Sequence, residues 1–104
     1  MRIMKFTEAF GQKYWELPQK YSKLTQAERA EVRAQYTKLQ NGMCIHCYAP
    51  LDREPAEKRG VDLSLFPRGM LLHPVHLHHC HKTDNTLGAV HALCNAVLWQ
   101  YYGE

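Results

Sequence analysis

The apolar positions of this chain divide it into a few short segments. Phe6, Phe10 and Tyr14 recur at helical spacing, Thr7 stands where an N-cap belongs and Pro18 follows, so the pattern predicts a short helix over residues 7–16, with Gly11 as its weak point. The aromatic stripe reads as core rather than as a base-stacking surface. Residues 26–40 carry the clearest helical pattern. Thr25-Gln26-Ala27-Glu28 is a capping box, Val32, Tyr36 and Leu39 share one face, and Asn41-Gly42 ends the element. Arg29 and Arg33 share another face, where phosphate contact competes with pairing to Glu28 and with plain solvation.

The second half breaks into shorter pieces. Residues 43–50, MCIHCYAP, read as a metal-binding knuckle. Residues 52–69 scatter Pro55, Gly60, Pro67 and Gly69 among charges and read as an irregular insert with one helical turn. After Pro74, His76-Leu77-His78-His79 reads as a strand end, residues 80–86 as a polar turn and Leu87–Val90 as the return strand. Residues 91–102, HALCNAVLWQYY, read as a helix.

A chain of 104 residues is one domain with a modest core, so a stabilising metal matters more here than in a larger protein. No apolar run approaches the roughly 20 residues that span a bilayer, and MRIMKFTEAF lacks the apolar stretch of a signal peptide. The expectation is a cytoplasmic protein with no membrane partner. Net charge is only +3, but residues 1–42 hold a surplus of +4 and the remainder is at −1. A basic amino-terminal half suits a polyanion such as DNA, although solvated helix faces account for it equally well.

Cysteine and histidine sharpen the picture. Without an export signal, Cys44, Cys47, Cys80 and Cys94 read as metal ligands rather than disulfides. Cys44 and Cys47 form a C-x2-C pair, and His91 and Cys94 form an H-x2-C pair. Together they make a closed four-ligand set of the structural zinc type, with His46 and Cys80 as rivals for the fourth position. Five of the seven histidines fall between His73 and His81, too dense for ordinary core residues, although such a tract also binds metals adventitiously.

The run HLHHCHKTDNTLGAVHALCNAVL resembles the core of HNH nucleases, in particular the zinc-containing endonuclease VII-like branch, with its D-H-x-H strand end and its second C-x2-C-N. The resemblance covers residues 44–98, about half the chain. It implies an α+β fold: a small ββα-metal core with a structural zinc site over residues 43–104, preceded by a helical basic extension over residues 1–42. It also implies a DNA endonuclease with a catalytic Mg²⁺ or Mn²⁺ beside the structural Zn²⁺. Carried over by position, His78 and Asn95 hold the catalytic metal, His79 is the general base, His81 assists at the phosphate, and Gly88 is the glycine before the helix. His78 and His79 face opposite ways in a flat strand, so the strand has to bulge for both to serve one phosphate.

Three departures qualify the resemblance. His78 replaces an aspartate, which shifts the expected metal preference from Mg²⁺ toward Mn²⁺, Co²⁺ or Ni²⁺. His91 replaces a zinc cysteine. Leu87 replaces an arginine, a phosphate contact for which Lys82 and Arg68 are candidates, with plain surface charge as the alternative for both. One site per chain implies that a monomer nicks one strand, in the manner of compact phage and prophage nucleases, while a double-strand break needs a dimer or successive nicks; a monomer or weak dimer is expected. A zinc-ribbon DNA-binding protein without catalysis is the alternative, and a redox or metal-storage protein a weaker third.

Overall fold

The computed structural model describes residues 6–9 and 12–103. Its elements are strands β1 (Phe6–Ala9) and β2 (Gln12–Trp15), a 3-10 turn at Tyr21–Lys23 and helix α1 (Gln26–Leu39). A second 3-10 turn follows at Leu63–Leu65, then strands β3 (Val75–His79) and β4 (Thr86–His91) and helix α2 (Ala92–Tyr102). No helix among the described residues is long and apolar enough to cross a membrane.

The helix expected over residues 7–16 is instead an antiparallel strand pair, with Phe6 opposite Trp15 and Ala9 opposite Gln12; Phe10 and Gly11 lie outside the described residues. A tertiary clasp holds β2 extended. The Gln35 carboxamide accepts from the Trp15 N–H at 2.7 Å and donates to the Trp15 carbonyl at 2.8 Å, while the indole is buried with Leu24, Val32 and Leu77. Such pairing outweighs the weak helical preference of a short aromatic segment.

Helix α1 starts as expected. Glu28 N–H donates to the Thr25 hydroxyl at 3.1 Å, and the Thr25 N–H donates to the Glu28 carboxylate at 2.8 Å, a reciprocal cap worth about 1 kcal/mol. Its core face is narrower than the spacing implied. Val32 is wholly buried and Tyr36 half-buried, but Leu39 is 66% exposed. The chain leaves the helix through Asn41 and Gly42, both at positive φ, 55° and 75°.

Strands β3 and β4 pair antiparallel, and α2 follows β4 directly, so strand, strand and helix succeed one another as expected. One core cluster joins Cys44, Leu51, Ala89, Val90 and Cys94, placing the metal knuckle against β4 and α2. The other joins Trp15, Leu24, Val32 and Leu77, placing the amino-terminal segment and α1 against β3. Tyr36 packs on both clusters, and its hydroxyl meets Thr86 Oγ1 at 3.0 Å.

Candidate functional site

The knuckle is a tight reversal. The Cys44 N–H donates to the Ala49 carbonyl at 2.9 Å and the Tyr48 N–H to the Cys44 carbonyl at 3.0 Å, which turns both cysteines inward. Tyr48 takes a positive φ of 62° to complete the turn. The second ligand pair comes from a different device: His91 ends β4 and is the N-cap of α2, and Cys94 lies one helical turn on, on the same face.

The ligand atoms of Cys44, Cys47, His91 and Cys94 lie within 4.8 Å of one another. Cys47 Sγ is 3.3 Å and Cys94 Sγ 3.7 Å from His91 Nδ1. Bond lengths of about 2.0–2.3 Å in a tetrahedron require ligand separations of about 3.5–3.8 Å, so small side-chain shifts would let the set hold a metal such as zinc. A donor chemistry argument agrees. His91 Nε2 lies 2.9 Å from the Pro50 carbonyl, which can only accept. Nε2 therefore carries the proton and Nδ1 offers its lone pair to the cluster, the outer-shell arrangement that fixes a ligating imidazole.

The thiols are electrostatically primed. Donation from the Cys94 thiol holds Cys44 well below the ordinary thiol range against the opposing effect of burial; the His46 N–H, 3.4 Å from Cys44 Sγ, adds to the effect. The same contact, with burial, pushes Cys94 up. A metal bound by this set would displace the thiol protons. The rivals for the fourth position are engaged elsewhere. His46 Nε2 meets Glu57 at 2.7 Å, and Glu57 meets Arg59 at 2.9 Å. Cys80 sits outside the set, at the start of the β3–β4 turn, where its N–H donates to the Asn85 carbonyl. No disulfide forms.

Asn95, one residue beyond Cys94, projects from α2 toward β3. Its Oδ1 lies 3.0 Å from His78 Nδ1 and its Nδ2 3.1 Å from His76 Nδ1. His76 and His78 alternate along β3 and so share a face. His78 is nearly enclosed at 3% exposure. His76, to which the sequence reading gave no role, is half-buried and faces open space; burial is the main cause pushing its imidazole below the ordinary range.

The ladder is irregular between His78 and His79, but the extra residue belongs to β4 rather than to the strand expected to bulge. The register runs His78 opposite Gly88 and His79 opposite Thr86, so Leu87 is an extra residue in β4, a β-bulge that re-aims the end of the strand. His79 then lies flat on Tyr21, ring centroids 3.7 Å apart and planes 8° from parallel. The Arg29 guanidinium covers the Tyr21 ring at 3.8 Å. His81 meets His79 edge-on at 4.8 Å. Burial, with His81 second, pushes the His79 imidazole down, which favours its neutral, proton-accepting form.

Tyr21 reaches this position because residues 19–22 are laced to the β3–β4 turn. The Thr86 N–H donates to the Gln19 carbonyl at 2.9 Å and the Tyr21 N–H to the Asp84 carbonyl at 2.8 Å. The Asp84 carboxylate accepts from the Ser22 hydroxyl at 2.5 Å and Lys20 Nζ donates to the Thr83 carbonyl at 2.7 Å. The contribution of this segment was invisible in the sequence, because every one of these contacts spans more than 60 positions.

Two cavities open on the histidines. One, of about 340 Å³, is bordered by Arg29, Arg33, His73 and Gln26. The other, of about 450 Å³, is bordered by Phe66, Met70, Trp99 and His81. Both share Tyr21, His76, His79 and Asn95 as lining. His78 lines neither, and neither do Arg68 and Lys82, both exposed. Of the expected site residues, His79, His81 and Asn95 are thus brought together, with Arg29 and Arg33 at the edge and His78 behind. Comparison of the chain with protein-family models, curated proteins and solved structures finds no match. The functional reading therefore rests on the chemistry of these side chains.

Proposed function

We propose that this protein is a zinc-stabilised, metal-dependent DNA endonuclease of the HNH type that nicks one strand of its substrate. The observation that carries the reading is the placement of Asn95, hydrogen-bonded to His78 and His76 while lining the same two cavities as His79. A ligand-capable carboxamide, the His76 imidazole and a candidate base thus border the same cavities, with His78 hydrogen-bonded behind Asn95.

The chain's own residues supply most of the reaction. His79, kept neutral by burial and held flat by Tyr21, takes a proton from water. The water oxygen forms a new bond to phosphorus, the bridging P–O bond breaks in line, and the departing oxygen takes a proton from solvent. His81 stands beside His79 to donate to a phosphate oxygen, and Arg29 and Arg33 place positive charge at the cavity edge. His78 and Asn95, now hydrogen-bonded at 3.0 Å, would hold a divalent cation once His78 Nδ1 gives up its proton to the other ring nitrogen. A divalent cation bound there would stabilise charge on the non-bridging and leaving oxygens. With an imidazole in place of a carboxylate, Mn²⁺ is expected to support cleavage better than Mg²⁺.

The test is supercoiled plasmid incubated with zinc-loaded protein and added Mn²⁺ or Mg²⁺. Conversion to open circles by wild type, and not by His79→Ala, supports the reading. The burial of His78 favours a second one, a zinc-stabilised DNA-binding module without hydrolysis; gel retardation with no nicking under any metal would select it.

A further inference from the structure

The larger cavity has two unlike walls. On one side are His76, His79, His81 and Asn95; on the other are Leu65, Phe66, Pro67, Met70 and Trp99. Phe66 meets Trp99 edge-on at 5.3 Å, and Trp99 remains 42% exposed. Trp99 is one helical turn beyond Asn95, so α2 presents both residues to the same space.

This apolar wall is held in place. The insert that carries Phe66 is anchored to the end of α2 on three contacts. Arg59 donates to the Tyr102 hydroxyl at 3.0 Å, the Tyr101 hydroxyl donates to the Gly60 carbonyl at 2.7 Å, and the Asp62 N–H donates to the Gln100 side chain at 2.8 Å. A preformed surface binds without first being ordered.

We propose that the Phe66–Trp99 wall is a nucleobase subsite, and that the DNA it takes is single-stranded or unpaired at the cleavage position. The inference rests on the nuclease reading above, and adds to it the substrate class. Arg29 and Arg33 border the adjoining cavity, and a phosphate at the histidines would have its attached nucleoside in the cavity that the aromatic wall lines. An exposed aromatic ring such as the Trp99 indole, with Phe66 set edge-on beside it, engages the face of a base, and the faces are accessible only where bases are unstacked. In an intact duplex they are covered, so the wall discriminates in favour of gaps, frayed ends, branches or single strands.

Binding is tested on the zinc-loaded chain with no Mg²⁺ or Mn²⁺ added, using oligothymidylate and the same strand paired with oligodeoxyadenylate. The chain has two tryptophans, and Trp15 is buried in the core, so quenching on stacking reports Trp99. The single strand is expected to quench and to bind more tightly than the duplex. Trp99→Leu should weaken single-strand binding about 5- to 150-fold, with duplex affinity changed less than about twofold, while Trp99→Phe retains most of the affinity. The wild-type comparison needs no variant and stands even where Trp99→Leu folds poorly. Absence of quenching by the single strand, or equal losses for both DNA forms in Trp99→Leu, overturns the subsite. If His79-dependent cleavage persists in that case, the nuclease reading survives alone; quenching by the single strand in a chain that never cleaves retains the subsite and removes the hydrolytic reading.

Discussion

Gly88→Ala is the substitution for which the structure gives the sharpest expectation. A β-carbon at Gly88 would lie 2.6 Å from Ile45 Cδ1 and 2.8 Å from Gln40 Oε1. Gln40 is no idle neighbour. Its Oε1 accepts from the Ala89 N–H and its Nε2 donates to the Ala89 carbonyl, each at 2.8 Å, so its carboxamide completes the edge of β4 as another strand would. Moving it aside breaks both bonds, at about 0.5–1.5 kcal/mol each. Crowding Ile45, which sits inside the knuckle between Cys44 and Cys47, adds about 1–3 kcal/mol. The expected total is a loss of about 2–6 kcal/mol, a large share of the roughly 5–15 kcal/mol by which a domain is stable. Chemical denaturation of the zinc-loaded protein, followed by circular dichroism, measures it. In an Ile45→Ala background the nearest clash is absent, so the same substitution should cost markedly less, a non-additivity expected of touching residues. A cost below about 0.5 kcal/mol in the wild-type background, or one unchanged by Ile45→Ala, would refute the packing argument.

Three further expectations follow from the site. The chain should bind one zinc, and chelation should unfold it, because apparent binding energies of about 10–16 kcal/mol in zinc-finger peptides match or exceed a domain's net stability; His91→Ala should lose the metal, read by metal analysis and circular dichroism together. Tyr21→Ala removes the platform beneath His79 and should slow cleavage about 2- to 12-fold, the equivalent of one aromatic contact of about 0.5–1.5 kcal/mol, with zinc content unchanged; Tyr21→Phe should restore the rate, since the contact is made by the ring face. Arg59, and after it His46, hold the Glu57 carboxyl well below the usual carboxylate range. That stabilisation is complete above the ordinary carboxylate pKa, about 4.3, and is lost as pH falls toward the depressed folded value, so Glu57→Gln should flatten the acid limb of a stability-versus-pH curve at constant zinc.

What was legible in the sequence was local. The capping box at Thr25 and Glu28 involves neighbours three apart, and the two ligand pairs each span one turn. The alternation around His76–His79 and the length of the polar turn set the hairpin. An irregularity between His78 and His79 was expected from their opposite facing, but its extra residue, Leu87, falls in the partner strand, which the sequence did not indicate. What escaped notice depends on distant partners. Tyr21 reaches His79 only through the clasp on residues 83–86, Gln40 mends the edge of β4 from 49 positions away, and β2 is held extended by Gln35 of α1. His76 did carry a signal, its two-residue spacing from His78 on a strand, which places both on the face that Asn95 meets.

The central claim, that His79 removes the proton from the attacking water beside Asn95, is tested most directly by single-turnover cleavage of an end-labelled oligonucleotide in Mn²⁺, with DNA affinity and zinc content measured on the same preparations. The expected result is a rate lower by roughly 10²–10⁴-fold in His79→Ala, at unchanged affinity and one zinc per chain. A His79→Ala protein that holds its zinc, binds DNA and cleaves as fast as wild type would contradict it.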